Sequence, residues 1–354
     1  MYPFKPGHVF VRDCWYVAAL SAELDAGFVD RRILDEPLLL YRTEAGDPVA
    51  MAGLCPHRRL PLAMGRRVGD AVQCAYHGIT FAADGSCLRV PTQASPGNQM
   101  RVRTYPAIER WQWIWVWMGD PAAADPAHIP DHAEMGLTEG WNATPAEHYP
   151  VPARYPLLIE NLQDLSHISF LHGAYVEDAA WTETPVDVVV SEAELRSARI
   201  STDTELSAFN AWCFPDAGPR VDQQLASVFK SPALTYSGPV VRETAGADGE
   251  GRYLGTMLAV HAITPETPRS THYFSTTTRD FRLGDAEFDA RLHAMDIEVR
   301  MQDVIALGAI ERQLDDESRL APEISVLADK PALHARRIVE RLIAREQAAG
   351  QRSR

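Results

Sequence analysis

Between residues 55 and 78 the chain reads CPHRRLPLAMGRRVGDAVQCAYHG, which places Cys55 and His57, then Cys74 and His77, on two short segments sixteen residues apart. Thiolate sulfur and imidazole nitrogen are ligands for zinc and for iron, so four of them this close together point to a metal. Two metals fit the residue types. A structural zinc takes two cysteines and two histidines, but zinc fingers keep the cysteines in one half and the histidines in the other. Here each half supplies one of each. That order suits a two-iron cluster in which one iron is held by two thiolates and the other by two imidazoles. Such a centre moves electrons and oxygenates nothing itself.

A second set lies in NLQDLSHISFLH, residues 161–172. Asn161, Asp164 and His167 recur at three-residue spacing on what reads as one helix face, and His172 follows five positions on. Histidines in amphipathic helices are commonly buried and hydrogen-bonded rather than ligating, so this stretch alone leaves both roles open. Two histidines and one carboxylate, with positions left open, form the site of non-haem Fe(II) oxygenases. An electron-carrying cluster upstream makes that role the more coherent of the two.

These residues need elements to hold them. The first 120 residues carry short β-type runs (RRILDEPLLLYRT, DPVAMAGL, AVQCAYHGITF, RWQWIWVWMG) punctuated by Gly, Pro and Asp, the pattern of a small all-β domain. A proline-rich stretch follows, from GDPAAADPAHIPDH to about TPAEHYPVPARYP. From Leu157 the spacing becomes helical and LLIENLQDLSHISFLHGAY reads as one helix. Residues 186–278 return to strand-like runs, and residues 285–316 and 331–348 read as two amphipathic helices. The fold class expected is α+β, a β domain followed by a domain of antiparallel sheet with helices at its start and end.

Composition narrows the possibilities further. A formal charge of −14 argues against a phosphate-binding surface, hence against nucleic acid. No apolar run approaches bilayer length, and MYPFKPGHVFVRDCWYVAAL lacks the layout of a signal peptide, so no membrane association and a cytoplasmic location are expected. The five cysteines (Cys14, Cys55, Cys74, Cys87, Cys213) are odd in number and scattered, unlike a disulfide framework.

WYVAAL, CPHR, CAYHG, WIWVWMGDPA, NLQDLSHISFLH, ITPET and HYFSTTTRDF occur in an order that resembles the oxygenase component of Rieske non-haem iron oxygenases. The resemblance spans nearly the whole chain and is strongest to the group of vanillate O-demethylases, dicamba monooxygenase and toluenesulfonate methyl-monooxygenases. It implies an N-terminal Rieske [2Fe–2S] domain with its linker over residues 1–150, and a catalytic domain holding a mononuclear Fe(II) over 151–354. Cys55, His57, Cys74 and His77 would hold the cluster. His167 and His172 would ligate the iron, with Asp303 in MQDVIALGAIERQ as third ligand; Asp315 and Asp316 would lie at a solvated helix end. Asp164 matches the family's bridging aspartate, expected to hydrogen-bond to His167 of its own chain and His77 of the next subunit in a homotrimer. Asn161 would stand close to the iron.

The implied chemistry is oxidation of a small aromatic substrate, an aromatic acid in particular, by O2 with electrons from a separate flavin/iron–sulfur reductase. Within the group this is hydroxylation or demethylation, such as O-demethylation of a methoxybenzoate. Aromatic ring hydroxylation at the same iron, or electron transfer without oxygenase activity, are the competing outcomes. Pocket residues would come from residues 205–280 and the Asp303 helix. His261 would face the substrate or be a hydrogen-bonded strand histidine, Lys230 would pair with the substrate's acid group or simply be solvated, and Trp212 and Phe214 would be either an aromatic wall or core. One departure is Gly308, where the family often carries a glutamate five residues after the carboxylate ligand; a wider pocket or a helix bend would follow.

Overall fold

The computed structural model describes residues 10–97, 99–176, 178–245, 249, 251–314 and 323–352. Asp315 and Asp316 therefore lie outside the described residues. The chain divides into two compact units. One comprises Arg12–Ile129 with Thr264–Pro268, the other Met1–Val11, Pro130–Ile263 and Arg269–Arg354.

The first unit is built from three small antiparallel sheets. In one, Trp113–Trp117 lies between Trp15–Leu20 and Ala107–Arg110. Its WIWVW sequence puts tryptophan on one face and aliphatic side chains on the other, and all five residues are buried. A second sheet runs Val29–Ile33, Glu36–Arg42, Pro48–Ala52 and Thr104–Tyr105. The run RRILDEPLLLYRT is thus two strands. It turns at Leu34 and Asp35, both at positive φ (50° and 65°), the left-handed pair that a two-residue hairpin turn needs. The third sheet, Arg66–Val68, Ala71–Gln73, Thr80–Phe81 and Cys87–Arg89, leads into and out of the Cys74 loop.

The second unit is an eight-stranded antiparallel sheet. Its order is Asn142–Ala143, Ser270–Arg279, Tyr253–Thr267, Leu234–Glu243, Arg220–Lys230, Glu194–Glu205 and Asp187–Val190, with Glu147–Val151 also pairing to Ser270–Arg279. The inward face of Arg220–Lys230 is set by alternation: Val221, Gln223, Leu225, Ser227 and Phe229 are all buried. Two long helices follow, Ala286–Gln313 and Lys330–Arg352.

The stretch expected as one helix is three pieces. An α-helix, Tyr155–Gln163, ends at Asp164, whose φ and ψ (−98°, 89°) are not helical. The Asp164 carboxylate accepts the Ser166 N–H at 3.0 Å and so caps a new turn, Leu165–His167, which passes into Ile168–Leu171. Aspartate competes well for backbone N–H groups at helix starts, which is why the break falls there. Gly308 opens no cavity: a Cβ there would stand 3.0 Å from the Pro152 ring, so the glycine permits close approach of the long helix to the segment entering Tyr155–Gln163.

Candidate metal centres and substrate cavity

The Cys55 and Cys74 loops repeat one design. Cys55 N–H donates to Leu60 O and Arg59 N–H returns to Cys55 O; Cys74 N–H donates to Ile79 O and Gly78 N–H returns to Cys74 O. Arg59 and Gly78, at equivalent places, both adopt positive φ (59° and 68°). Equal loops thus absorb the unequal Cys-x-His and Cys-x-x-His spacings. Both cysteines are buried, while the His57 and His77 rings lie edge to face at the surface with centroids 4.6 Å apart. Burial pushes the Cys55 thiol up, the adjoining Cys74 thiol adds to this, and the backbone N–H groups of His57 and Arg58 point at its sulfur and oppose the rise. Two neighbouring buried thiols, N–H groups aimed at sulfur and two facing imidazoles are the donor set of a two-iron, two-sulfur cluster. Separation of the imidazoles from the thiols, with each loop giving one of each, does not fit a zinc finger.

In the second unit the remote residues meet. His167, His172 and Asp303 bring one donor atom each to within 4.8 Å of one another. Asp303 Oδ1 lies 3.2 Å from His172 Nε2 and 3.6 Å from His167 Nε2. The outer ring nitrogens are both engaged: His172 Nδ1 with Gln302 Oε1 at 2.7 Å, and His167 Nδ1 with the Asp164 carbonyl at 2.5 Å. Since both partners are acceptors, each ring carries its proton on Nδ1 and turns a bare Nε2 toward Asp303, the tautomer a metal requires. Asn161 Nδ2 donates to Asp303 Oδ1 at 3.2 Å, which places Asn161 against the carboxylate. The Asp164–His167 contact expected through the carboxylate is made instead by the backbone carbonyl, while one carboxylate oxygen accepts the Ser166 N–H.

Beside this triad is a cavity of about 110 Å³ with mostly apolar walls, among them Leu162, Trp181, Phe209, Leu225 and Met295. Its polar groups are gathered at His261, Ser237, Thr277, Asp296 and Arg300. His261 comes from the same strand face as Met257 and Ala259. Its Nδ1 is 2.6 Å from the Tyr273 hydroxyl, and burial, aided by Arg300 and His167, holds its pKa well below the ordinary histidine value. The ring is therefore neutral. In the tautomer in which the Tyr273 hydroxyl donates to Nδ1, its Nε2–H is left as a donor.

Arg300 donates Nε to Ser275 and Nη2 to Thr277, each at 3.1 Å; its Nη1 stands 3.7 Å from Asp296, beyond hydrogen-bond range. Burial raises the Asp296 pKa. Sequence reasoning missed Gln302, Arg300 and Asp296, although Asp296, Arg300 and Asp303 follow one another at helical spacing.

Lys230 is not part of this wall. It lies five positions after Leu225, an odd number, so its side chain points to the other face of the strand. There its ammonium is 2.9 Å from Glu134 and also pairs with Glu194. Trp212 and Phe214 are packing residues: Trp212 stacks on Phe288 with centroids 4.4 Å apart, and Phe214 packs on Phe281 at 4.5 Å.

Residues 14–106 match the Rieske [2Fe-2S] domain, and residues 151–345 match the vanillate O-demethylase oxygenase C-terminal domain. The chain belongs to the Rieske non-haem iron oxygenases. It is 34% identical to the oxygenase component of chloroacetanilide N-alkylformylase from Rhizorhabdus wittichii, over 94% of this chain and 95% of that one. Identity to the oxygenase component of dicamba O-demethylase from Stenotrophomonas maltophilia is 32%, over 94% of this chain and 98% of the relative. The crystal structure of dicamba monooxygenase bound to 3,6-dichlorosalicylic acid superposes with a TM-score of 0.88 at 31% identity, covering 96% of this chain and 99% of that one. As a Rieske oxygenase component the chain is an enzyme that uses a [2Fe–2S] cluster, a mononuclear iron and O2, with electrons supplied by a reductase. No helix among the described residues is long and apolar enough to cross a membrane.

Proposed function

We propose that this Rieske oxygenase component demethylates a small aromatic acid, of which a methoxybenzoate is the type. The observation that carries this is the cavity beside the His167, His172 and Asp303 triad, apolar on most sides with donors at one edge. In this reading those three residues hold the iron, and Cys55, His57, Cys74 and His77 hold the cluster. Residues 1–150 then form the electron-accepting domain with its linker, and 151–354 the catalytic one. When bound, the two centres supply O2 activation with two electrons drawn from the reductase.

The protein's own part is to orient and to exclude water. The apolar walls hold the ring and keep solvent from the reacting carbon. His261 Nε2–H and the free edge of the Arg300 guanidinium bind the acid group, which sets the methoxy carbon toward the triad; a guanidinium suits a carboxylate or sulfonate through paired donors. The balance is ArOCH3 + O2 + 2e⁻ + 2H⁺ giving ArOH, CH2O and H2O: the methyl C–H is hydroxylated and the hemiacetal collapses. Gln302 and the Asp164 carbonyl keep both imidazoles in the ligating tautomer throughout. The chain acts as a homotrimer in which the half-buried Asp164 carboxylate, on the chain segment that also touches His167, meets His77 of a neighbouring subunit and links cluster to iron.

A screen of methoxybenzoates with a surrogate reductase tests this. One formaldehyde per phenol with matching O2 uptake is expected, and Arg300→Gln should weaken an acid substrate tenfold or more while sparing its methyl ester. Ring-hydroxylated products without formaldehyde would assign ring hydroxylation. A cluster that cycles with no substrate-dependent O2 uptake would leave an electron-transfer protein.

A further inference from the structure

The helix Ala286–Gln313 carries a second message beyond Asp303. Arg291, Met295, Val299 and Asp303 recur every four residues and so form a single stripe along it. Burial grades along the stripe: Arg291 is exposed, Met295 half-buried, Val299 and Asp303 buried. At 1.5 Å per residue it runs about 18 Å from surface to triad. An open groove of about 480 Å³, walled by Tyr175, Trp212, Arg291 and Glu298, lies at its outer end. This groove and the cavity share two wall residues, Phe209 and Met295.

We infer that the groove is the route by which the substrate reaches the iron site, and that Met295 is the movable partition that sets which aromatic molecules pass. The two shared side chains differ in freedom. Phe209 is held between Trp181 and Trp212, with ring centroids 6.4 Å and 6.0 Å away. Met295 is unbranched with three rotatable bonds, and methionine is the side chain that repacks most readily. Something has to move, because a cavity of about 110 Å³ is smaller than the roughly 150 Å³ that admits benzene alone. Swinging Met295 aside joins the cavity to the groove and supplies the missing volume. At the mouth, the exposed Arg291 lies over the Trp212 ring at 5.3 Å and offers a cation to an arriving aromatic anion. The use of this route by an aromatic acid rests on the function proposed above; the route itself does not.

Two measurements on the holoenzyme separate these. The first reads the route without any substrate: Leu225→Cys places a thiol in the cavity wall, and its modification rate by methyl methanethiosulfonate is compared with that of the chain lacking it. Adding Met295→Ala should raise the rate at least tenfold, and Met295→Phe should lower it by a similar factor. Met295→Leu, which conserves volume but stiffens the side chain, should fall between wild type and Met295→Phe and serves if the larger residue impairs folding. The second is stopped-flow binding of 4-methoxybenzoate and 6-methoxy-2-naphthoate under anaerobic conditions. Met295→Ala should raise association and dissociation rates together, most for the naphthoate, whereas Val299→Phe, inside the cavity, should change Kd. A thiol rate indifferent to residue 295 overturns the route. A thiol rate that follows residue 295 while neither acid binds upholds the route and overturns the aromatic-acid substrate.

Discussion

The proposed cluster ligands Cys55, His57, Cys74 and His77 come from two loops of neighbouring small strands, each loop closed by its own pair of backbone hydrogen bonds. His167, His172 and Asp303 come instead from elements far apart in the chain, as the pairs His172–Gln302 and Asn161–Asp303, 130 and 142 positions apart, make plain. A local site has its geometry written into its turns. A remote site has to borrow it from packing. Here the lender is the junction where the long helix meets the start of Tyr155–Gln163: Arg154 gives three hydrogen bonds to Glu311, and Gly308 lets the helix close on Pro152. The cluster site should therefore fail only through its loops, whereas the triad should weaken on changes well away from the metal.

The largest effects should come from removing the proposed ligands, and they test whether the two sites are built independently. Asp303→Ala should cut turnover at least about a thousandfold, some 4 kcal/mol of transition-state stabilisation, with the red-brown cluster spectrum intact. Cys55→Ser should abolish that spectrum and electron uptake, while iron analysis still finds the mononuclear ion. Loss of both metals in either variant would show one site folding the other and break the contrast.

Next comes the junction. Burial pushes the Glu311 carboxyl up, but hydrogen bonds and charge from Arg154, with help from Arg269, outweigh this and hold it below its ordinary value. Glu311→Gln strips Arg154 of its buried counter-charge and should cost about 3 kcal/mol, read as a lower urea midpoint. A carboxyl depressed by folding contributes stability that is complete above its unfolded value, near about 4.3, and is lost as pH falls through the folded value. The wild-type advantage over Glu311→Gln should thus be full at about pH 7 and shrink below about pH 4. An advantage that persisted in acid would mean the charge on Glu311 is not what anchors the helix.

A smaller effect belongs to Gln302. Partners of a ligating imidazole's outer nitrogen typically matter 10- to 100-fold in metal affinity, so Gln302→Ala should weaken iron binding by roughly that factor, with the cluster unaffected. An affinity within about twofold of wild type would show that Asp303 and Asn161 alone orient the site.

The same division explains what could be read from the sequence. The cluster loops were legible because alternating Cys/His order and turn residues are local facts, and the sheet-plus-helix plan followed from periodicity. His167 and His172 stood out as a pair, but Asp303 entered through family resemblance, since nothing in local spacing ties it to residues over a hundred positions earlier. The helix break at Asp164 was readable in principle, because an aspartate two residues before a serine N–H is a capping signal that competes with helical continuity. The outward direction of Lys230 follows from strand alternation once Leu225 is known to face inward. Gln302 and Glu311 had no such signal: each is an ordinary helix residue until its remote partner is placed beside it.

Gly308 gives the smallest effect and the finest test of the borrowed geometry. In an isolated helix Gly308→Ala would gain about 1 kcal/mol. Here the new methyl meets the Pro152 ring at 3.0 Å, and a ring fixed in the chain cannot yield as a flexible side chain would. Overpacking of this kind costs about 1–3 kcal/mol, so the net change should be a loss of about 1 kcal/mol. Pro152→Ala relieves the contact, and the double variant should be more stable than the sum of the two single changes predicts, a coupling read from the four urea midpoints. Because the contact lies five residues beyond Asp303, Gly308→Ala should also loosen iron slightly, and Pro152→Ala should restore it. If Gly308→Ala simply stabilised the chain and left iron affinity untouched, the junction would not be holding Asp303 in place, and the triad would be more self-sufficient than its scattered origin implies.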